Sequence, residues 1–304
     1  MSEWPAVLTP DPELMRLAEP ALIAACEDMR LTPQEAARLV PPVLGLAGWL
    51  FDRLPQPGLL GIAGSQGSGK STIAELLALA FSEARGARVA TLSIDDFYLT
   101  REERVQLGEA VHPLFRTRGV AGTHDMILMQ SVISALMRGE SMATPRFDKS
   151  IDDRAPQPDT VEGPVDYVIV EGWCVGARPE PEASLNRPMN ELERREDVGG
   201  VWRGYVNERL GAADYRSVFD GFDQLVFLQV PGMESVFTWR LRQEDMLRAR
   251  VGDQAGVMDA EGVARFIQHY ERTTNNMLVE LPGIADVVVR INEAHEIEGG
   301  LIPE

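Results

Sequence analysis

Residues Gly64 to Thr72 read GSQGSGKST and meet the spacing GxxxxGK[ST]. A loop of this kind suits polyphosphate. The small residues Ser65, Gly67, Ser68 and Gly69 around Gln66 let successive backbone N–H groups turn inward, and the following helix N-terminus adds its dipole. In such a loop the Lys70 ammonium reaches the β- and γ-phosphates, and the Ser71 hydroxyl ligates Mg²⁺. A second stretch, SIDDFYLT, carries the adjacent carboxylates Asp95 and Asp96, which repel each other unless a neighbour makes use of one. One such use is accepting the proton of a substrate hydroxyl during phosphoryl transfer. A third acid, Glu171, ends the apolar run YVIV and is a candidate Mg²⁺ ligand, although aspartate is common at that point.

These groups need a scaffold that brings three strand ends together. From Gly58 onward, short apolar runs alternate with helical stretches, the pattern of a parallel sheet covered by helices on both faces. Strands are expected near Leu59 to Ala63, Val89 to Ile94, Tyr167 to Val170, Leu225 to Val230 and Val287 to Ile291. About seventy residues separate the second and third of these, too many for a structureless loop, so a helix is expected at Met126 to Met137. Before Gly58 the pattern is helical, and Thr32, Pro33 and Glu35 together make a capping box. The fold expected is a P-loop NTPase of three α/β/α layers with a central, mostly parallel sheet. Residues 1–57 form an N-terminal helical extension and residues 58–304 the kinase domain, with a substrate-binding insertion at about 101–165 and a lid at about 233–252.

Of the 304 residues, 44% are hydrophobic, enough for a sizeable core, and the net charge is −18. Such a field repels nucleic acid and anionic membrane surfaces, so neither is expected as a partner, and any small anion needs a local cluster of cations. The segments RTRGVAGTHD and PRFDKSIDDR supply Arg116, Arg118, His124, Arg146, Lys149 and Arg154. A further group, Arg240, Arg242, Arg248 and Arg250, falls on an expected helix after the fourth strand, where arginines can close over phosphates. Cys26 and Cys174 lie far apart, which suits free thiols. The opening MSEWPAVLTPDPEL lacks signal-peptide regions, and the run Leu39 to Phe51 is short and interrupted by Pro41 and Pro42. A cytoplasmic protein without a membrane span is expected.

Taken in order, GSQGSGKST, SIDDFY, RGVAGTHD, PRFDKSIDDR, VEGWCVG, LQVPGMESVFTWRLRQE and ADVVVRINEAHEI resemble the D-glycerate 3-kinase family. That family is one of the P-loop kinases related to phosphoribulokinase, uridine kinase and pantothenate kinase. The resemblance, from about Gly58 to Ile297, implies ATP- and Mg²⁺-dependent phosphorylation of a small hydroxy acid, D-glycerate, to 3-phosphoglycerate. It implies that Asp95 is the catalytic base with Asp96 in support, that Arg240 and Arg242 are lid arginines, and that Asn292 and Glu293 border the adenine. The matched segments also imply acceptor contacts from Asp96, Tyr98, Arg118, Thr123, His124, Lys149, Arg154 and Trp173. Ala121 stands where the family pattern RGxPGTHD has proline. Three competitors are a P-loop kinase for another small hydroxyl substrate, of the uridine or pantothenate kinase type, a GTPase, for which DVGG at Asp197 to Gly200 fits DxxG without an NKxD companion, and a P-loop ATPase acting on macromolecules. Oligomeric state is not legible in the sequence.

Overall fold

A computed structural model describes residues 2–3, 9–10, 12–251 and 258–302, with the backbone alone at 2, 3, 247, 250 and 251. After β1 (Ser2–Glu3), the helices α1 (Pro12–Asp28) and α2 (Pro33–Phe51) precede β2 (Gly58–Gly64), α3 (Lys70–Arg85) and β3 (Val89–Ser93). The insertion that follows holds α4 (Arg101–Ala110), α5 (Met126–Met137) and the short strands β4 (Met142–Thr144), β5 (Phe147–Asp148), β6 (Asp153–Arg154) and β7 (Asp159–Val161). Next come β8 (Tyr167–Gly172), α6 (Glu191–Glu196), α7 (Val201–Gly211), α8 (Ala213–Phe219) and β9 (Gln224–Gln229). The chain closes with α9 (Met233–Val251), α10 (Ala260–Glu280), β10 (Val287–Ile291) and β11 (Ile297–Ile302).

The main sheet runs β1-β11-β10-β9-β2-β8-β3. Its five strands from β10 to β3 are parallel, while β11 and β1 add an antiparallel edge that the apolar-run reading does not foresee. Strand β2 lies centrally with every residue buried, which is why GLLGIAG reads as continuous small and apolar residues rather than an alternation. The register sets Ser93 beside Glu171 and Ala63 beside Gly172. The phosphate loop, the Asp95 turn and Glu171 therefore leave the sheet at the same carboxyl edge, where open α/β sheets place ligands.

The helix at Met126–Met137 falls where its apolar pattern puts it, and Thr32 and Glu35 form the expected capping box. Pro41 and Pro42 do not interrupt the preceding apolar run: α2 passes through both. A proline inside a helix costs about 3 kcal/mol, and here burial of Val40, Val43, Leu44 and Leu50 offsets it. The same core joins α1 and α2 to α3 and one face of the sheet, so the N-terminal helices pack as part of the sandwich. Among the described residues, no helix is long and apolar enough to cross a membrane. Cys26 and Cys174 are free and buried.

Candidate active site

The loop between β2 and α3 is built around two backbone requirements. Gly67 and Gly69 sit at φ of 78° and 87°, a region costly for residues with a Cβ, and a Cβ on Gly64 would come within 2.6 Å of the Ser68 hydroxyl. Ser65 and Ser68 are buried, and their hydroxyls have no hydrogen-bond partner. Helix α9 closes down on this loop, with Trp239 and Gln243 the nearest neighbours of Gly67. Lys70 and Ser71 open α3, and Thr72 lies half-buried one residue on.

The Ser71 hydroxyl donates to Glu171 Oε1 at 3.1 Å, whereas Glu171 Oε2 is buried without a partner. A buried carboxylate oxygen with an unused lone pair, beside a hydroxyl, fits a hard divalent cation that takes its remaining ligands from phosphate and water. No cluster of three or more metal-type side chains exists among the described residues, and this type of site requires none.

Asp95 follows β3 in a one-turn 3₁₀ segment. Its Oδ1 accepts from the Tyr98 hydroxyl at 2.8 Å and its Oδ2 from the Lys149 ammonium at 2.8 Å. Burial pushes its pKa up, but the charges of Lys149 and Lys70 and the hydrogen bonds from Lys149 and Tyr98 outweigh burial and hold it at about 2. Asp95 is therefore an ionised carboxylate aimed between two lysines. Asp96 is turned elsewhere. It accepts from Phe147 N at 3.0 Å and from Arg146 Nη1 at 2.9 Å, and burial raises its pKa. Neighbouring side chains diverge along the turn, and both Asp96 oxygens are engaged by the insertion at β5, so Asp96 anchors that insertion rather than standing beside Asp95.

The arginines and the lysine expected to form an open anion pocket have carboxylate partners, whereas His124 does not. Arg118 pairs with Asp152, Arg154 with Asp125 at 3.1 Å, Arg146 with Asp96, and Lys149 with Asp95. Arg154 also donates to the Tyr98 carbonyl at 2.8 Å, tying β6 to the turn that carries Asp95. Arg116 approaches Glu109 on the exposed side of α4. The partners Asp125 and Asp152 are what the sequence reading missed; Asp125 had a signal, since an acid just before an apolar helix is an N-cap, and it caps α5.

Three further candidates serve the RGVAGTHD loop itself. The Thr123 hydroxyl accepts from Gly119 N and donates to the Val120 carbonyl, and Trp173, 3% exposed, donates its indole N–H to the Gly119 carbonyl at 2.9 Å. Neither polar group is left for a ligand, so their role as acceptor contacts is corrected to loop support. His124 stacks on Tyr98 with ring centroids 4.7 Å apart, and its Nδ1 pairs with the Tyr215 hydroxyl at 2.9 Å. Its Nε2 is buried without a partner, and burial lowers the His124 pKa to about 4 although Asp95 pulls it up.

The lid arginines point apart. Residues two apart on a helix are about 200° apart around its axis, so Arg240 and Arg242 cannot share one face. Arg240 pairs with Glu244 and lies over Phe266 of α10, with its guanidinium 5.4 Å from the ring centroid. Arg242 lines a cleft of about 300 Å³ beside Gly69 and Thr72. The Arg250 side chain lies outside the described residues, and Arg248 contacts Asp245 and the Met258 carbonyl. The segment expected at the adenine reaches the same cleft through Ala294, His295 and Glu296, whereas Asn292 turns its Oδ1 back to Glu296 N, closing the turn. Asn292 and Glu293 themselves do not line it, whereas the rest of the segment from Asn292 to Glu296 does. The DVGG motif is a structural clamp: Asp197 is buried, caps α7 at Trp202 N and Arg203 N, and pairs with Arg203 at 2.9 Å.

Comparison with known proteins agrees with this arrangement. The profile of the Phosphoribulokinase / Uridine kinase family matches residues 59–176, which span the phosphate loop, Asp95 and Glu171. The chain is similar to the uncharacterized kinase mug58 of Schizosaccharomyces pombe, 36% identical over 226 residues that cover 71% of this chain and 79% of that protein. It is similar to the chloroplastic D-glycerate 3-kinase of Arabidopsis thaliana, 29% identical over 287 residues, 85% of this chain and 59% of that protein. The solved structure of D-glycerate 3-kinase from Cryptococcus neoformans var. grubii covers 86% of this chain and 99% of its own at a TM-score of 0.72 and 28% identity. With fold, phosphate loop and sequence in agreement, the chain belongs to the phosphoribulokinase and uridine kinase family of P-loop kinases.

Proposed function

We propose that this kinase transfers the γ-phosphoryl group of ATP to a hydroxyl of a small hydroxy acid, D-glycerate, giving 3-phosphoglycerate and ADP. The observation that carries the reading is Asp95: an ionised carboxylate between the Lys70 and Lys149 ammonium groups, beyond the strand next to Glu171. The acceptor oxygen forms a bond to the γ-phosphorus as the bond to the bridging oxygen of ADP breaks, and the hydroxyl proton passes to Asp95. A carboxylate of such low pKa is a weak base, which suits a loose transition state in which the proton leaves late. Its main work is to orient the hydroxyl. Tyr98 holds Oδ1 in place, so Oδ2, the oxygen bound by Lys149, is the one that exchanges partners.

A carboxylate on the acceptor explains that exchange. Lys149 is a flexible cation largely in solvent, and an incoming carboxylate can draw it off Asp95, which frees Oδ2 for the hydroxyl. His124 Nε2, stacked beside Tyr98, is a buried polar atom with hydrogen-bonding capacity to spare. Ser71 and Glu171 would hold Mg²⁺, whose charge would offset that of the β- and γ-phosphates. The similarity to D-glycerate 3-kinases supports glycerate over uridine or pantothenate, since neither of the two places a carboxylate beside its reacting hydroxyl at so short a spacing.

The test is ADP release with D-glycerate, uridine, pantothenate or no acceptor. Release that depends on D-glycerate is expected. Release that depends on uridine or pantothenate overturns the substrate, and equal release with no acceptor overturns the kinase reading.

A further inference from the structure

The cleft of about 300 Å³ beside the phosphate loop is not enclosed by the nucleotide-binding core alone. Gly69, Thr72 and Ile73 form its floor, the turn from Ala294 to Ile297 one side, and Leu31, Glu35, Arg38 and Leu39 of α2 and the residue run before it the other. Such a volume is at the small end of ligand pockets and suits one heteroaromatic ring system. The two sides are held differently. On the turn, His295 is a non-glycine residue at φ 64°, a strained conformation of the kind that collects at binding sites. Its ring centroid lies 4.5 Å from that of Trp239, and its Nε2 would be 4.0 Å from a Cβ on Gly69, so this wall packs against α9 and the phosphate loop. The α2 wall reaches across by an ion pair from Arg38 to Glu296, between side chains that are 65% and 35% exposed.

We propose that α2 is a wall of the nucleotide site, with Leu39 against the purine base and the Arg38–Glu296 pair latching the cleft over it. This inference rests on the nucleotide reading given above and assigns the N-terminal helices a share in binding. An ion pair so exposed adds little to fold stability, so its position across the mouth of a cleft matters more than its strength. The base would lie between aliphatic side chains, Leu39 on one side and Ile291 and Ile297 toward the other, while its phosphates run along the floor to Lys70.

The experiment is equilibrium binding of ATP and, as a separate probe of the phosphate loop, inorganic tripolyphosphate, to the full chain and two variants, with thermal melting as a folding control. Leu39→Trp fills the cleft and is expected to weaken ATP about tenfold or more and leave tripolyphosphate within about twofold. Arg38→Ala is expected to weaken ATP about threefold with tripolyphosphate unchanged. Wild-type affinity for ATP in both variants, or equal weakening of both probes, overturns the role of α2 and leaves the nucleotide reading intact. If Leu39→Trp fails to fold, Arg38→Ala decides alone. A wild-type chain that binds neither probe overturns the nucleotide reading itself.

Discussion

The two halves of the site stand in opposite electrostatic states. On the nucleotide side, polar groups wait unpaired: the hydroxyls of Ser65 and Ser68 and one oxygen of Glu171 are buried without partners. On the acceptor side nearly every charge is already spoken for, Lys149 by Asp95, Arg146 by Asp96, Arg118 by Asp152 and Arg154 by Asp125. The first half is preorganised, and its ligand replaces missing contacts. The second is internally neutralised, and its ligand must compete with a carboxylate of the protein. In a chain of charge −18, this pairing also spares the insertion the cost of bare cations, and in the proposed acceptor site it would favour groups able to displace a carboxylate.

The comparison breaks most visibly at Lys70. Lys70→Ala removes the phosphate-loop charge and is expected to lower kcat by about 10²- to 10³-fold, read as ADP formation at saturating ATP. Retention of more than about a tenth of the wild-type rate would sink the preorganised half of the account. The acceptor side responds more softly, because removing one paired cation leaves others in place. Lys149→Ala is expected to raise the KM for the acceptor about tenfold and to leave the KM for ATP within about twofold. A change confined to the ATP KM would move Lys149 into the nucleotide half.

A smaller effect concerns stability. Burial depresses the His124 pKa to about 4 in the folded chain, against an ordinary 6.5, so between those values the unfolded chain binds more protons. The stabilisation is complete above pH 6.5 and drains away as pH falls toward 4, by on the order of 3 kcal/mol. His124→Phe keeps the stacking on Tyr98 and gives up the bond to Tyr215, so its melting temperature is expected to fall less steeply across that window. Parallel slopes for wild type and variant would show that other groups carry the pH dependence.

Legibility in the sequence follows the same division. The phosphate loop, the capping box at Thr32 and α5 are local: each depends on residues within a few positions of one another, and each lies where its pattern puts it. Strands β2, β8, β9 and β10 are buried on both faces and read as apolar runs, while β11 carries two glycines and two half-buried ends, and gave no such signal. The acceptor side is made by pairings over long separations, such as Arg154 with Tyr98 and Asp96 with Phe147, which no short window contains. Composition could show that cations gather in the insertion. It could not show that the arginines and the lysine are met by acids, with Asp152 shared between Arg104 and Arg118, nor that Thr123 and Trp173 spend their polar atoms on one loop.

Asp95 joins the two halves, since it feels Lys70 on one side and is held by Lys149 on the other. The direct measurement is Asp95→Asn, compared with wild type by steady-state kinetics with D-glycerate beside a nucleotide-binding titration. The account predicts that kcat falls by about 10²- to 10⁴-fold while ATP affinity changes by less than about twofold. A variant with near-normal kcat, or one whose loss is explained by weakened ATP binding, would contradict it.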